Sequence, residues 1–319
     1  MSTGHIRANP AGVGRLGMIG VGHMGEPMAL RLIQAGHALV VYDTNTEHLE
    51  RLSSQGASVA DSPADVGNKA DTVLVCLPNP DAVEQVALGP RGLVQGQRFS
   101  TYVDLSTTGP IIMRKVVRVF EELGVATLDC PISGGVTGAR NGTLAIMAAG
   151  TSALFDKMHP VLETLGKAIF HVGEQPGLGQ IMKLVNNLLA ATAWTITAEG
   201  LAIGTKAGLD PTLMLSVLNA SSGRNIATED RFERYILSRK FDSGFTMAGI
   251  YKDISLCMGQ AEASDVPAPI GQALQRLWRG ALTQGWGDRS HAHIARLYEI
   301  WADVEFNAST GTQKHEGPE

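Results

Sequence analysis

The segment "RLGMIGVGHMGEPMA", Arg15 to Ala29, constrains the fold more than any other part of the chain. A short apolar run ends in glycines spaced G-x-G-x-x-G (Gly20, Gly22 and Gly25) and passes directly into a helical pattern. In that context Gly20 permits a tight turn, Gly22 lets the backbone approach a pyrophosphate, and Gly25 lets helix and strand pack closely. The helix N-terminus then faces the negative charge. His23 and Met24 fill the variable positions and would line the same cofactor site. Asp43 ends a second apolar run, "ALVVYD", 18 residues after Gly25, where a carboxylate can accept hydrogen bonds from an adenosine ribose. A glycine-rich turn that binds nothing, beside a solvated Asp43, is the alternative, but strand, motif, helix, strand and acid all occur in order. Thr44 and Asn45 follow Asp43 with no adjacent arginine to receive a 2′-phosphate, so NAD is expected as cofactor. NADP remains open because a loop could bring Arg51 near.

Short aliphatic runs continue to alternate with helical segments through the first half: "TVLVCLP", "TYVDLS", "VATLDCPIS", "TLAIMAAG" and "AIFHVG" are further strand candidates. This alternation predicts an α/β fold, with an N-terminal Rossmann-type, doubly wound parallel sheet. In "PIIMRKVVRVFEELG", Pro110 suits a first helical turn and Gly124 a C-cap. After Gly179 strand signals fade and helical patterns dominate to about Phe306, predicting an all-α C-terminal domain. A helix from Gln180 to Ala207, stopped by Gly208 and Pro211, would be a rod of about 40 Å joining the two. The expected domains are 14–176 for the dinucleotide, 177–308 for substrate and oligomerisation, and 309–319 as a disordered tail.

Composition narrows the partners. With a formal net charge of -5 and no clustered Lys and Arg, the chain is not expected to bind nucleic acid. Cys76, Cys130 and Cys257 are isolated, which disfavours a zinc site or a disulfide framework and suits reduced thiols in a cytoplasmic protein; no metal is expected. "MSTGHIRANPAG" has no signal-like apolar stretch, and the longest apolar candidate, Leu188 to Leu209, is interrupted by Glu199 and Lys206, so no membrane span is expected.

"GLGQIMKLVNN", Gly177 to Asn187, sets Lys183, Asn186 and Asn187 into a helix of core-like residues. Residues three and four apart are helical neighbours, so these polar groups can form one cluster. The apolar positions 181, 184, 185 and 188, with 192, make a displaced stripe expected to pack into a domain. A lysine facing a partly dry cleft has a lowered pKa and becomes a better proton donor near neutral pH. Taken by itself, the segment equally fits a lysine that snorkels to solvent.

Together these motifs resemble the β-hydroxyacid dehydrogenase family over about Leu16 to Phe306. The resemblance adds Leu77-Pro78 in "VCLPNPDAV", "DLSTTGP" from Asp104 to Pro110, "DCPISGGVTGARNGTL" from Asp129 to Leu144, "GLGQIMKLVNN" and the Lys252-Asp253 pair in "YKDISL". It implies that Ser133, Gly134 and Gly135 hold a substrate carboxylate and that Asn187 orients the substrate. Lys183 would act as general acid or base, while Leu77, Pro78, Thr107 and Lys252 would line the cofactor. The bland alternatives are a plain turn for "SGG", a helix cap for Thr107 and a surface ion pair for Lys252. "NASSGRNIATEDRF", Asn219 to Phe232, is similar to 3-hydroxyisobutyrate dehydrogenases, and Arg224 within it suits a structural ion pair. The expected activity is NAD(P)-dependent interconversion of a small β-hydroxy acid and its semialdehyde. Imine reductases of similar architecture typically lack the lysine, and a non-catalytic dinucleotide module would have no need of Ser133, Lys183 and Asn187 together. Relatives pair through their helical domains, so a homodimer or homotetramer is expected.

Overall fold

The computed structural model describes residues 12–307; the tail expected over 309–319 lies outside the described residues. Strands and helices alternate in the order β1 (Leu16–Ile19), α1 (Gly25–Gln34), β2 (Leu39–Tyr42), α2 (Thr46–Ser54), β3 (Ser58–Val59), α3 (Pro63–Lys69), β4 (Thr72–Val75), α4 (Pro80–Leu88), β5 (Thr101–Asp104), α5 (Pro110–Glu122) and β6 (Ala126–Asp129). Then come β7 (Ile132–Ser133), α6 (Gly135–Asn141), β8 (Leu144–Ala149), α7 (Ser152–Leu165), β9 (Gly166–Gly173) and the long α8 (Leu178–Lys206). The sheet order is β3-β2-β1-β4-β5-β6-β8-β7, with β9 paired to β8.

The first six strands are parallel and doubly wound, as their sequence alternation predicts. Successive side chains point to opposite faces. Met18, Val41, Leu74 and Val103 accordingly join a core with Met28 and Leu32 of α1 and Met158 and Leu162 of α7. Their neighbours Ile19, Val40, Val75 and Tyr102 join a second core with Val83 of α4 and Met113 and Phe120 of α5. Both faces are covered, which parallel sheets require. The parallel expectation fails at β8, which runs antiparallel to β6 and β7. Only the short α6 separates β7 from β8, and so short a connection serves an antiparallel pair, whereas the parallel pair β8 and β9 has all of α7 as its crossover.

The strand order reverses between β1 and β4, the place where doubly wound sheets open a crevice beyond the carboxyl ends of their strands. Gly20 follows β1, Asp43 follows β2, Leu77 follows β4, Thr107 follows β5 and Ser133 follows β6, so the predicted site residues of this sheet share one edge.

The chain forms two compact units that meet in sequence at Val185–Asn186, inside α8. The second unit is helical: α9 (Pro211–Asn219), a π-helix over Ala227–Leu237, α10 (Met247–Ala263), α11 (Pro269–Thr283) and α12 (Ile294–Ala302). Asp210 and Thr246 cap α9 and α10 with side-chain oxygens. Trp278 is fully buried with its indole N–H donating to Thr195 Oγ1 at 3.0 Å, and the buried Glu299 carboxylate is held by Arg239, Arg296 and the Phe306 amide. Among the described residues no helix is long and apolar enough to cross a membrane, and no His, Cys, Asp and Glu group is arranged to hold a metal.

The stripe expected on α8 is corrected. Leu184 is buried, but Val185 of that stripe is 39% exposed, as is Leu189 beside it at 66%, while Gln180, Lys183 and Asn187 are buried at 0%, 7% and 8%. The helix turns its polar residues inward because Gln180 and Asn187 find hydrogen-bond partners there. Burial of a satisfied polar group is tolerated, and its rotation outward would have buried Val185 and Leu189 at the expense of those bonds.

Candidate functional site

The glycine turn has the shape a dinucleotide needs. Gly20 adopts φ +83°, and a Cβ there would lie 2.2 Å from the Cys76 carbonyl; one on Gly25 would lie 1.9 Å from the Gly20 carbonyl. Nothing lies within 4 Å of a Cβ built on Gly22, which leaves its backbone open to close approach. Met24, the N-cap of α1, makes no side-chain capping bond, and in the first turn the Glu26 amide donates to the Gly22 carbonyl at 2.8 Å. His23 is exposed and Met24 half-buried on the same turn.

Asp43 braces this turn. Its Oδ2 accepts from the Val21 amide at 2.7 Å and its Oδ1 from the Asn45 amide at 2.9 Å. Each carboxylate oxygen has two lone-pair sites, so ribose hydroxyls can still be accepted. Arg51, the residue that left NADP open, forks onto Glu26 at 2.8 and 2.9 Å, and His48 shares that carboxylate. The Arg51 bond, aided by His48, draws Glu26 down to about 2.

Leu77 packs beside Gly20, and its amide donates to Ser106 Oγ at 2.9 Å; Pro78 is exposed next to it. Thr107 is half-buried and does not cap α5, because Gly109 occupies the N-cap with φ +76°. Ser133 ends β7, paired with Ala145 of β8. Gly134 and Gly135 follow in the left-handed region at φ +129° and +63°, exposed, with open space where a Gly135 Cβ would be. Successive glycine amides in such conformations form a concavity suited to a carboxylate.

The start of α8 explains its two glycines. Gly177 takes φ +97°, and a Cβ on Gly179 would sit 2.5 Å from the Met147 carbonyl and 3.0 Å from Asp129 Oδ2. Asp129 caps the helix: Oδ2 accepts the Gly177 and Gln180 amides at 3.0 Å each, and Oδ1 accepts Gln180 Nε2 at 2.7 Å. Burial pushes the Asp129 carboxyl up to about 7, against the lowering effect of the Gln180 bond and with a raising one from Asp104. Lys183 stands on the buried face of α8, one turn after Gln180.

In the second unit, Asn187 Nδ2 donates to Asp253 Oδ2 at 2.5 Å, Asn186 Nδ2 donates to Asn187 Oδ1 at 3.0 Å, and Lys252 Nζ pairs with Asp253 Oδ1 at 3.0 Å. The Lys-Asp pair thus fixes an asparagine one helical turn from Lys183. Arg224 is exposed and pairs with Glu229 at 3.2 Å.

Residues 15–173 match the NAD binding domain of 6-phosphogluconate dehydrogenase, and residues 177–298 match the NAD-binding domain of NADP-dependent 3-hydroxyisobutyrate dehydrogenase. A 2-(hydroxymethyl)glutarate dehydrogenase of Eubacterium barkeri is 35% identical over 291 residues, covering 91% of this chain and 96% of its own. The chain belongs to the β-hydroxyacid dehydrogenase family. An NAD-dependent L-serine dehydrogenase of Pseudomonas aeruginosa is 36% identical over 292 residues, 89% of this chain and 98% of that one. A solved Mycobacterium tuberculosis 3-hydroxyisobutyrate dehydrogenase with L-serine superposes with a TM-score of 0.81 at 26% identity, covering 89% of this chain and 99% of that one. The family's chemistry, NAD(P)-dependent oxidoreduction of a β-hydroxy acid, is therefore this chain's.

Gln180, Asp104 and the capping role of Asp129 escaped the sequence reading. Two signals were present: a polar residue one turn ahead of Lys183 on the same face, and aspartates ending two successive strand candidates.

Proposed function

We propose that the protein interconverts a 2-substituted 3-hydroxypropionate and its semialdehyde, with NAD preferred over NADP. The observation that carries this reading is Lys183, buried at 7% exposure on α8 within an intact lysine motif. The three relatives point to one fragment: 3-hydroxyisobutyrate, L-serine and 2-(hydroxymethyl)glutarate are all carboxylates with a CH₂OH on the adjacent carbon. A bound nicotinamide supplies the hydride acceptor or donor. Ser133 and the amides of Gly134 and Gly135 hold the carboxylate, and Asn187, anchored by Asp253, orients the substrate. Lys183 takes the hydroxyl proton during oxidation and returns it to the carbonyl oxygen during reduction. Gly20, Gly22, Gly25, His23, Met24, Leu77, Pro78, Thr107 and Lys252 form the cofactor side, and the Asp43 carboxylate favours the ribose 2′-hydroxyl over a 2′-phosphate.

Of the expected domains, 14–176 carries most of the cofactor residues together with Ser133, Gly134 and Gly135, and 177–308 carries Lys183, Asn187, Lys252 and the faces for assembly. The exposed Leu213, Val217, Ile300 and Trp301 support a homodimer or homotetramer through the helical domain. An oxidation screen with NAD and NADP over 3-hydroxyisobutyrate, L-serine, 3-hydroxypropionate and glycerate tests the reading. NADH formation with at least one of 3-hydroxyisobutyrate, L-serine and glycerate is expected, faster than with the unsubstituted 3-hydroxypropionate. Tight NADH binding without turnover of any would instead support a non-catalytic dinucleotide module.

A further inference from the structure

We propose that Gln180 is a positioning residue, locking the first turns of α8, and with them Lys183, to the strand-end segments on the cofactor side. The role rests on the dehydrogenase reading above. Gln180 is fully buried, and its amide makes every hydrogen bond it can. Oε1 accepts from the Thr108 and Gly109 amides at 2.8 and 3.0 Å; Nε2 donates to the Ser106 carbonyl at 3.0 Å and to Asp129 Oδ1 at 2.7 Å. Ser106 in turn accepts the Leu77 amide on its Oγ. One side chain therefore ties together the helix bearing Lys183, the segment bearing Thr107 and the segment bearing Leu77. Its backbone N–H, held by Asp129 Oδ2, fixes the helix at the same point.

Donors and acceptors in this pocket are matched, so the amide is specified by chemistry as well as by shape. A carboxyl of equal size can still accept from Thr108 and Gly109, but its second oxygen faces two acceptors and fits only when protonated. The groups around it are Asp104 and Tyr102 on β5, Cys76 after β4, Asp129 and Cys130 at the end of β6, Arg114 on α5 beside Gly177, and Lys183 on α8. Two buried aspartates oppose a third negative charge, so the substituted carboxyl holds its proton at low pH and strains the lock as pH rises.

The test compares wild type with Gln180→Glu and Gln180→Met, measuring the NADH dissociation constant by fluorescence and kcat and KM with 3-hydroxyisobutyrate or L-serine. For Gln180→Glu the variant-to-wild-type ratios are expected to worsen by about tenfold or more between about pH 6 and about pH 8.5, kcat more than KM, because small misplacements of catalytic groups are costly. Gln180→Met is expected to lose kcat at every pH with KM changed less than about threefold. Ratios for Gln180→Glu that stay flat with pH overturn the proposal; should Gln180→Met fail to fold, Gln180→Glu decides. Failure of the dehydrogenase reading looks different: wild type turns over no hydroxy acid while the NADH ratios keep their pH dependence.

Discussion

The glycine turn after β1 and the polar junction at the start of α8 do comparable work by opposite means. At the turn, backbone is shaped by missing side chains within a dozen residues, set against the Cys76 carbonyl and braced by Asp43 from the next strand end. At the junction, the Gln180 side chain meets the Asp129 carboxylate and the Ser106–Gly109 backbone across separations of 51 to 74 residues, matched donor to acceptor. A local device is fixed by sterics and is intolerant of added atoms. A nonlocal one is fixed by hydrogen bonding and is sensitive to protons.

The sharpest contrast comes from the residue the junction serves. Lys183→Ala is expected to lower kcat by about 10²–10⁴-fold, the usual contribution of a general acid or base, with NADH affinity held within about threefold. Steady-state kinetics with fluorescence titration check it, and retention of most turnover would remove Lys183 from the mechanism. At the turn, Gly25→Ala drives a Cβ into the Gly20 carbonyl, and backbone cannot yield as a side-chain tip could. A destabilisation of about 3 kcal/mol is expected, along with NADH affinity down by about tenfold or more. An unchanged melting temperature and affinity would mean that the close approach is relaxed in solution.

Asp129→Asn probes the proton sensitivity of the junction. The folded-state pKa near 7 lies above the usual carboxylate value, so the protonated form is favoured on folding. The stability this contributes is complete below the unfolded pKa and is lost as pH rises through about 7, with a slope of at most about 1.4 kcal/mol per pH unit. Thermal melts of wild type are expected to decline across that window. Asp129→Asn should lose the slope and, since its amide N–H₂ would face Gln180 Nε2, cost about 1–3 kcal/mol. A slope that survives the substitution would assign it to another group. The smallest effect belongs to Asp43→Asn, which keeps the size of the side chain, removes its charge and leaves only one of its two backbone amides with an acceptor. The NAD-over-NADP ratio of kcat/KM is expected to fall by about tenfold, equivalent to about 1.4 kcal/mol, and an unchanged ratio would place the discrimination elsewhere.

The same contrast explains what the sequence made legible. "GVGHMG" with Asp43 could be read directly because strand, turn, helix and acid adjoin in the chain. The parallel sheet followed from alternation until β8, whose direction depends on a short connection that periodicity does not record. On α8 the apolar residues misled: Val185 and Leu189 look like core by type, yet the face was chosen by partners of Gln180 and Asn187 that lie far away in sequence. Lys183 and Asn187 were recognisable as a motif, whereas Gln180 became visible only when the ends of β5 and β6 came side by side.

The capping of α8 by Asp129 also bears on the order in which the molecule assembles. The Gly177 and Gln180 amides find their acceptor 48 and 51 residues upstream, and the Gln180 side chain reaches back 71 to 74 residues to the Ser106–Gly109 segment. None of these bonds can arise by local nucleation, and contacts so distant along the chain form slowly. The body of α8 can coil early, but its first turn docks only after β5 and β6 have paired. Native-state amide exchange should therefore show the Gly177 and Gln180 protons opening together with the central strands and not with the rest of their own helix. On that order, a newly made chain would acquire its aligned lysine only once the ends of β5 and β6 stand side by side.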